Sequence, residues 1–141
     1  SEAWVKYWDK QLPFLHNHNW VDTRFEFSFL PADGGHIFPH PDVAKKVITT
    51  VVFFPFEWDI EWGGGFSVHE HKTDPRGDFK KLGNGLTKWE DINDIYTAEF
   101  LPNRSVTMRR TQYSLHSVKP IKGPKDKYRT SLTINIIGSK K

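Results

Sequence analysis

Two histidines and an aspartate give the sequence its clearest capacity for metal chemistry. His40 and Asp42 flank a proline, and His116 follows much later in the run Ser-Leu-His-Ser-Val. On an extended segment, residues two apart point to the same face, so His40 and Asp42 can reach one ion. Two imidazoles and one carboxylate bind a metal such as Fe(II) and leave coordination positions open for other ligands. We therefore predict a metal site formed by His40, Asp42 and His116.

A second position for chemistry lies near the C-terminus, on the apolar run at residues 128–137. Alternation along this run places Arg129, Ser131, Thr133 and Asn135 on one face. A guanidinium beside a hydroxyl is a suitable receptor for a carboxylate, because it forms charge-assisted and potentially bidentate hydrogen bonds. The alternatives for Arg129 are a structural ion pair and a polar stripe that faces solvent.

The other histidines offer weaker candidates. His69 and His71 flank Glu70 on a strand-like run, which is how cupin-type metal sites begin, but no glutamate follows at the spacing such a site needs. His36 shares a face with His40 by alternation, so it either approaches the metal site or lies on the surface. His16 and His18 fall in a polar N-terminal stretch and are expected to be solvated.

The composition is typical of a single folded domain. Of the 141 residues, 37% are hydrophobic and 15% aromatic, so we predict one domain over residues 1–141 with its core at 24–137. The absence of cysteine excludes disulfides and Cys-ligated metals, so histidines and carboxylates must bind any metal. The formal net charge of +3 is dispersed, and a nucleic-acid partner is not expected. No run approaches the roughly 18 apolar residues of a membrane span, so no membrane association and a cytoplasmic location are the expectation.

Alternating or β-branched runs predict about eight short strands separated by turns, an arrangement typical of a sandwich or barrel. These runs cover residues 24–30, 36–40, 47–54, 66–71, 96–101, 105–109, 113–118 and 128–137. Ahead of them, helical spacing predicts a short N-terminal amphipathic helix on the outside, with Trp4, Tyr7, Trp8 and Leu12 on its apolar side.

Residues 72–94 interrupt the strand pattern and are rich in Gly, Pro, Asp, Asn and Lys. Excursions of this length in a compact domain are often functional, so we predict a loop that acts as a lid. Phe79 and Trp89 are its candidate apolar anchors over a substrate, or they attach the loop to the body of the domain. Its possible hinges are Gly77, Gly83 and Gly85.

Taken in order, these motifs resemble the 2-oxoglutarate/Fe(II)-dependent oxygenase superfamily, nearest its prolyl-hydroxylase-like branch. The resemblance spans residues 25–137. It includes the hydrophobic strand 46–54, the Trp-Gly-Gly-Gly-Phe stretch at 62–66 and the Phe-Leu-Pro-Asn turn at 100–103. It implies a mainly β fold, the double-stranded β-helix, which is a jelly-roll or cupin-like barrel.

The resemblance also implies roles for the candidate residues. His40, Asp42 and His116 would bind Fe(II), and Arg129, helped by Ser131, would bind the distal carboxylate of 2-oxoglutarate. Many members of the superfamily place a tyrosine in the strand after the His-x-Asp motif to bind the same carboxylate.

Phe53 stands at that tyrosine position in this chain. The second anchor for the carboxylate must therefore be another residue, and Thr49 and Thr133 are the candidates.

The activity implied by the resemblance is hydroxylation of a C–H bond with consumption of 2-oxoglutarate and O2 and release of succinate and CO2. The expected substrate is a peptide or protein, with a prolyl residue as the first candidate, or a small molecule. The alternative is a cupin-type barrel that binds a metal or a ligand without oxygenase activity, with His69 and His71 in its site.

Overall fold

Eight β-strands form the architecture, which a computed structural model describes over residues 18–73, 87–111 and 113–140. In chain order the strands are β1 His18–Pro31, β2 Ile37–His40, β3 Lys46–Phe53, β4 Phe66–His71, β5 Ile92–Ala98, β6 Ser105–Arg109, β7 Leu115–Val118 and β8 Tyr128–Lys140. Two single-turn 3-10 helices, Ile60–Trp62 and Trp89–Asp91, lie in the connections. Over these three ranges, no helix is long and apolar enough to cross a lipid bilayer.

The strands form two antiparallel sheets of four strands each, in the orders β1-β8-β3-β6 and β2-β7-β4-β5. Apart from the β4–β5 hairpin, consecutive strands alternate between the sheets, so the chain winds around the space that they enclose. This winding is that of a double-stranded β-helix, and the predicted fold class is confirmed. The predicted N-terminal helix at Trp4, Tyr7, Trp8 and Leu12 lies outside the described residues.

The main hydrophobic cluster joins the two sheets at one end of the pocket described below. Val51 and Phe53 of β3 contact Phe66 of β4, Ala98 of β5 and Phe100, and all five side chains are buried. Removing this apolar surface from water is the dominant favourable term for closing the sheets on each other. The cluster therefore fixes the separation of the sheets.

Strand β1 presents its aromatic side outward, although the apolar face of an alternating strand would be expected to be the buried one. Phe25, Phe27 and Phe29 are 65%, 67% and 63% exposed. Glu26 and Ser28 point to the inner side, opposite polar residues of β8, and they line the pocket. The predicted strand at 24–30 is thus confirmed, and its polar face is the one that points between the sheets.

The predicted excursion at 72–94 is too long at its C-terminal end. Strand β5 begins at Ile92, and Asn93 and Asp94 pair with β4. Asparagine and aspartate are poor strand formers, so local preference pointed to a loop. Their pairing with β4 overrides that preference. Residues 74–86, including Phe79 and the three candidate hinge glycines, lie outside the described residues, so the lid stays a prediction.

Trp89 belongs to the body of the domain. It packs on Ile92 and Leu115, and its ring centroid lies 6.0 Å from that of Phe38. Trp89 does not line the pocket, which favours the interpretation that it attaches the loop to the domain.

Candidate metal centre

His40, Asp42 and His116 come together where β2 and β7 pair. His40 is the last residue of β2 and lies directly opposite His116 of β7, and Asp42 follows two residues later. The candidate ligand atoms of the three side chains lie within 4.8 Å of one another. Asp42 and His116 are buried, and His40 is partly exposed on the pocket side. The predicted cluster is therefore assembled by the fold.

Both imidazoles are oriented by their own strands. Nδ1 of His40 lies 2.7 Å from the carbonyl oxygen of Phe38, and Nδ1 of His116 lies 3.0 Å from that of Ser114. Because a carbonyl can only accept, Nδ1 carries the hydrogen in both rings. Each ring therefore offers the lone pair of Nε2. Such outer hydrogen bonds are how metal-binding histidines are usually fixed in tautomer and direction.

His116 is held as a neutral imidazole. Its ring stacks on Phe66 with centroids 5.2 Å apart and an interplanar angle of 16°. Burial, and then the neighbouring His40, lower the pKa of His116 to about 4. Since a metal requires the unprotonated ring, His116 is ready to bind a metal across the neutral range.

Asp42 is held at both carboxylate oxygens. Lys46 Nζ donates to Oδ1 and Thr49 Oγ1 donates to Oδ2, each at 2.7 Å. Burial acts to raise the pKa of Asp42, but the hydrogen bonds from Lys46 and Thr49, together with the charge of Lys46, leave the pKa below its usual value. Asp42 is therefore an anion.

A hydrogen-bonded chain continues from Thr49 into the first sheet. Thr49 Oγ1 also lies 3.1 Å from Oδ1 of Asn135, and Asn135 Nδ2 donates to Glu26 at 3.2 Å. Thr49, expected as a second carboxylate anchor, thus contacts Asp42. It pairs with Asn135 on β8, which places it about 20 Å of extended strand from Arg129. One carboxylate cannot contact both Thr49 and Arg129.

Arg129 is buried at the other end of the pocket, with 1% of its surface exposed. Its Nε donates to the Gly64 carbonyl at 2.5 Å and its Nη1 to Ser131 Oγ at 3.1 Å. The guanidinium carbon lies 5.4 Å and 4.9 Å from the ring centroids of Phe53 and Phe100. Burial lowers the pKa of Arg129 to about 10. Among the described residues, no carboxylate forms an ion pair with it.

Glycine at position 64 makes room for this guanidinium. Its φ is +83°, and a Cβ there would lie 3.1 Å from Trp58 and 3.3 Å from Cδ of Arg129. A backbone carbonyl can approach the arginine this closely only without a side chain. Gly64 of the triple-glycine stretch therefore forms one wall of the arginine site.

One pocket of about 540 Å³ between the sheets contains both groups. All seven residues predicted from the sequence line it, namely His40, Asp42, His116, Thr49, Arg129, Ser131 and Thr133. Sequence reasoning missed Glu26, Ser28, Lys46 and Phe66, which also line it. The alternation of β1 could have identified Glu26 and Ser28, because it placed them on one face. Lys46 carried no comparable signal.

The competing histidines lie elsewhere. His69 and His71 do not line the pocket, and among the described residues they belong to no cluster of three metal-binding side chains. His36 is exposed and packs edge-on against Phe38 with centroids 4.7 Å apart, so Ile37 faces the pocket in its place. His18 begins β1 and is partly exposed. His16 lies outside the described residues.

Comparison with known proteins relates this chain to others through its fold. No protein-family model matches the sequence, and no curated protein matches it. A prolyl 4-hydroxylase from Pseudomonas putida is similar, with a TM-score of 0.58 and 17% identity over 99% of this chain and 63% of the other. A prolyl 4-hydroxylase from Phytophthora capsici gives a TM-score of 0.55 and 17% identity over 98% of this chain and 40% of the other. The chain thus spans less than two thirds of either protein, and the likeness is one of fold.

Proposed function

We propose that the chain is an Fe(II)- and 2-oxoglutarate-dependent oxygenase. One observation carries the proposal: a single pocket contains a two-histidine, one-carboxylate cluster and a buried arginine that has no carboxylate partner in the described chain. A buried cation is costly unless it is paired, which favours an anionic ligand that enters the pocket. A dicarboxylate with a metal-chelating end satisfies both groups at once.

The cluster suits Fe(II). Two neutral imidazoles and one carboxylate match the facial triad of non-haem iron oxygenases, which leaves positions for a bidentate co-substrate and for O2. His40 and His116 would bind through Nε2, because their Nδ1 atoms are occupied by carbonyl groups. Asp42 would bind through Oδ1, because its partner there, Lys46, is partly exposed and able to move aside, whereas Thr49 on Oδ2 is buried.

The arginine end suits the distal carboxylate of 2-oxoglutarate. Arg129 uses Nε and Nη1 within the protein, and its remaining donors are available for charge-assisted hydrogen bonds. Ser131 accepts from Arg129, so its own hydroxyl hydrogen is free to donate. Ser28 lies directly opposite Ser131 on β1 and also lines the pocket. With phenylalanine at position 53, we assign the second contact to this pair of serines in preference to Thr133.

With iron, 2-oxoglutarate and O2 bound, the centre would supply oxidation of a substrate C–H bond with release of succinate and CO2. The chain's own residues bind and orient the reactants and restrict access of water. Ile37, Val51, Phe66 and Val118 give the pocket apolar walls that limit side reactions.

The proposed substrate is a peptide or protein side chain, with a prolyl residue first. Two solved structures of similar fold are prolyl 4-hydroxylases, and that likeness supports the choice. A small-molecule substrate is the second possibility.

An anaerobic titration with Fe(II) and then 2-oxoglutarate tests the proposal. A visible charge-transfer band from the chelate is expected, and O2 should then give succinate with a prolyl peptide. His40→Ala should lose metal binding and the band, whereas the control His71→Ala should keep both. Metal binding without the band would favour a cupin-type barrel without oxygenase activity. Loss of metal from His71→Ala but not from His40→Ala would move the metal centre to His69 and His71.

A further inference from the structure

A polar chain that the proposed chemistry does not use lies beside the metal centre. His69 of β4 is 1% exposed, with Nε2 at 2.6 Å from Ser117 Oγ and Nδ1 at 2.9 Å from Oδ1 of Asp94. The other oxygen of Asp94 is paired with Lys119. The Asp94 oxygen is off the line of the Nδ1 bond, so this contact is more electrostatic than a linear hydrogen bond. We refer to these residues as the Asp94–His69–Ser117 chain.

The direction of the hydrogen bonds in this chain is fixed by its members. Burial lowers the pKa of His69 below its usual value, although Asp94 opposes that shift, so the ring is neutral. A carboxylate can only accept, and it faces Nδ1, so Nδ1 carries the hydrogen and Nε2 accepts from the Ser117 hydroxyl. Ser117 of β7 is therefore held by a hydrogen bond to His69 of the neighbouring strand β4.

Ser117 follows His116 on β7, and alternation turns the two side chains to opposite faces of the sheet. The strand has only four residues. It shares two register positions with β2, separated by an irregularity, and three with β4. Its pairing with β2 is irregular between Ile37 and His40, on the side that carries the other two metal-binding candidates. A change in the twist of β7 there would move the His116 ring away from His40 and Asp42.

We propose that the Asp94–His69–Ser117 chain positions His116 for metal binding. It acts as a clamp on the back of β7: Asp94, held by Lys119, fixes His69, His69 fixes Ser117, and Ser117 fixes the rotation of the strand. His69 and Ser117 are positioning residues and do not touch the ion. The inference rests on the proposed metal site for its functional consequence, but the clamp acts on His116 with or without a metal.

The first readout is the set of NMR signals of the His116 imidazole, recorded on chelator-treated protein. In the wild type, one set of ring signals is expected, with the hydrogen on Nδ1. Ser117→Ala and His69→Leu should broaden or shift these signals. His71→Leu is the matched control, because His71 lies on the same strand and face, is also buried, and accepts hydrogen bonds from Thr73 at its ring Nδ1. It should leave the His116 signals unchanged.

The second readout is Co(II) affinity, measured well below the melting temperature of each variant. Ser117→Ala and His69→Leu should weaken Co(II) binding by about 10- to 100-fold, as outer-shell changes at metal sites do. His69→Gln should recover part of the loss, since its amide can still bond Ser117. His71→Leu should bind as the wild type does.

The outcomes separate the clamp from the proposed function. Unchanged His116 signals in both Ser117→Ala and His69→Leu would overturn the clamp, and so would an equal effect of His71→Leu on the signals. If His69→Leu does not fold, Ser117→Ala decides the matter alone. Perturbed signals in a protein whose wild type binds no Co(II) would support the clamp and overturn the proposed oxygenase.

Discussion

Replacing Arg129 by methionine separates what its guanidinium costs the fold from what it contributes to ligand binding. Burial lowers the pKa of Arg129 to about 10, a shift that corresponds to about 3 kcal/mol for holding the charge in the pocket. The two aromatic rings and the hydrogen bonds to Gly64 and Ser131 offset a similar amount. The free energy of unfolding without ligand should therefore change by less than about 2 kcal/mol.

Ligand binding should respond far more strongly. Loss of a charge-assisted contact to a buried carboxylate costs about 2–4 kcal/mol, or about 30- to 1000-fold in the dissociation constant of 2-oxoglutarate. Co(II) affinity should stay close to that of the wild type, because Arg129 does not contact the His40–Asp42–His116 cluster. The wild type should also prefer 2-oxoglutarate over 2-oxobutanoate, which lacks the distal carboxylate, and Arg129→Met should lose that preference.

Calorimetric titration of the Co(II)-loaded protein with both oxoacids, together with urea unfolding, measures these quantities. Arg104→Met, a partly exposed arginine paired with Glu99, is the control for the substitution itself. An unchanged 2-oxoglutarate affinity in Arg129→Met would place the anchor elsewhere. A loss of unfolding free energy above about 4 kcal/mol would show that Arg129 is structural.

Three further predictions follow from the site. In chelator-treated protein, folding favours neutral His116, because its pKa is 6.5 in the unfolded chain and about 4 in the folded one. The free energy of unfolding, measured with urea, should therefore fall by about 3 kcal/mol as the pH falls from 6.5 to 4. His116→Gln should flatten that pH dependence. Lys46→Met should tighten Co(II) binding by about five- to tenfold, because the Lys46 ammonium beside the carboxylate repels the metal cation. Weaker Co(II) binding in that variant would show that Lys46 mainly orients the carboxylate. Gly63 and Gly64 share a φ of +83°, but only at position 64 would a Cβ press on the Arg129 side chain, at 3.3 Å from its Cδ. Gly63→Ala and Gly64→Ala should therefore both lower the melting temperature, and only Gly64→Ala should weaken 2-oxoglutarate binding; equal binding by the two variants would contradict this.

The sequence predicted the strands and which side chains share a face, because alternation in extended chain is a local property. Two-residue spacing put His40 with Asp42 and Arg129 with Ser131, and the fold carries all of them into one pocket. Joining the first pair to His116 rested on the need for a third ligand and on the family resemblance, since no local pattern links β2 to β7.

What the sequence could not predict depends on pairing between distant strands. Asp94 has a low strand preference, yet it extends β5 because it lies opposite His69. Thr49 shares a face with the pocket, as expected, but the register of β3 on β8 places it at Asp42 and far from Arg129. Register is a tertiary property, so alternation can assign a face but not the neighbour across it.

The hydrogen bond from Thr49 to Asp42 also bears on which ions the pocket can exclude. Calcium draws on about six to eight oxygen ligands and often takes both oxygens of a carboxylate, and magnesium prefers oxygen and water. Here two of the three donors are nitrogen, and Thr49 occupies Oδ2 of the carboxylate with a hydrogen bond. The abundant alkaline-earth ions would therefore find a single suitable oxygen, the one shared with Lys46. In the proposed iron centre, a threonine hydroxyl would thus help a small open site to reject alkaline-earth ions without a closed cage around it.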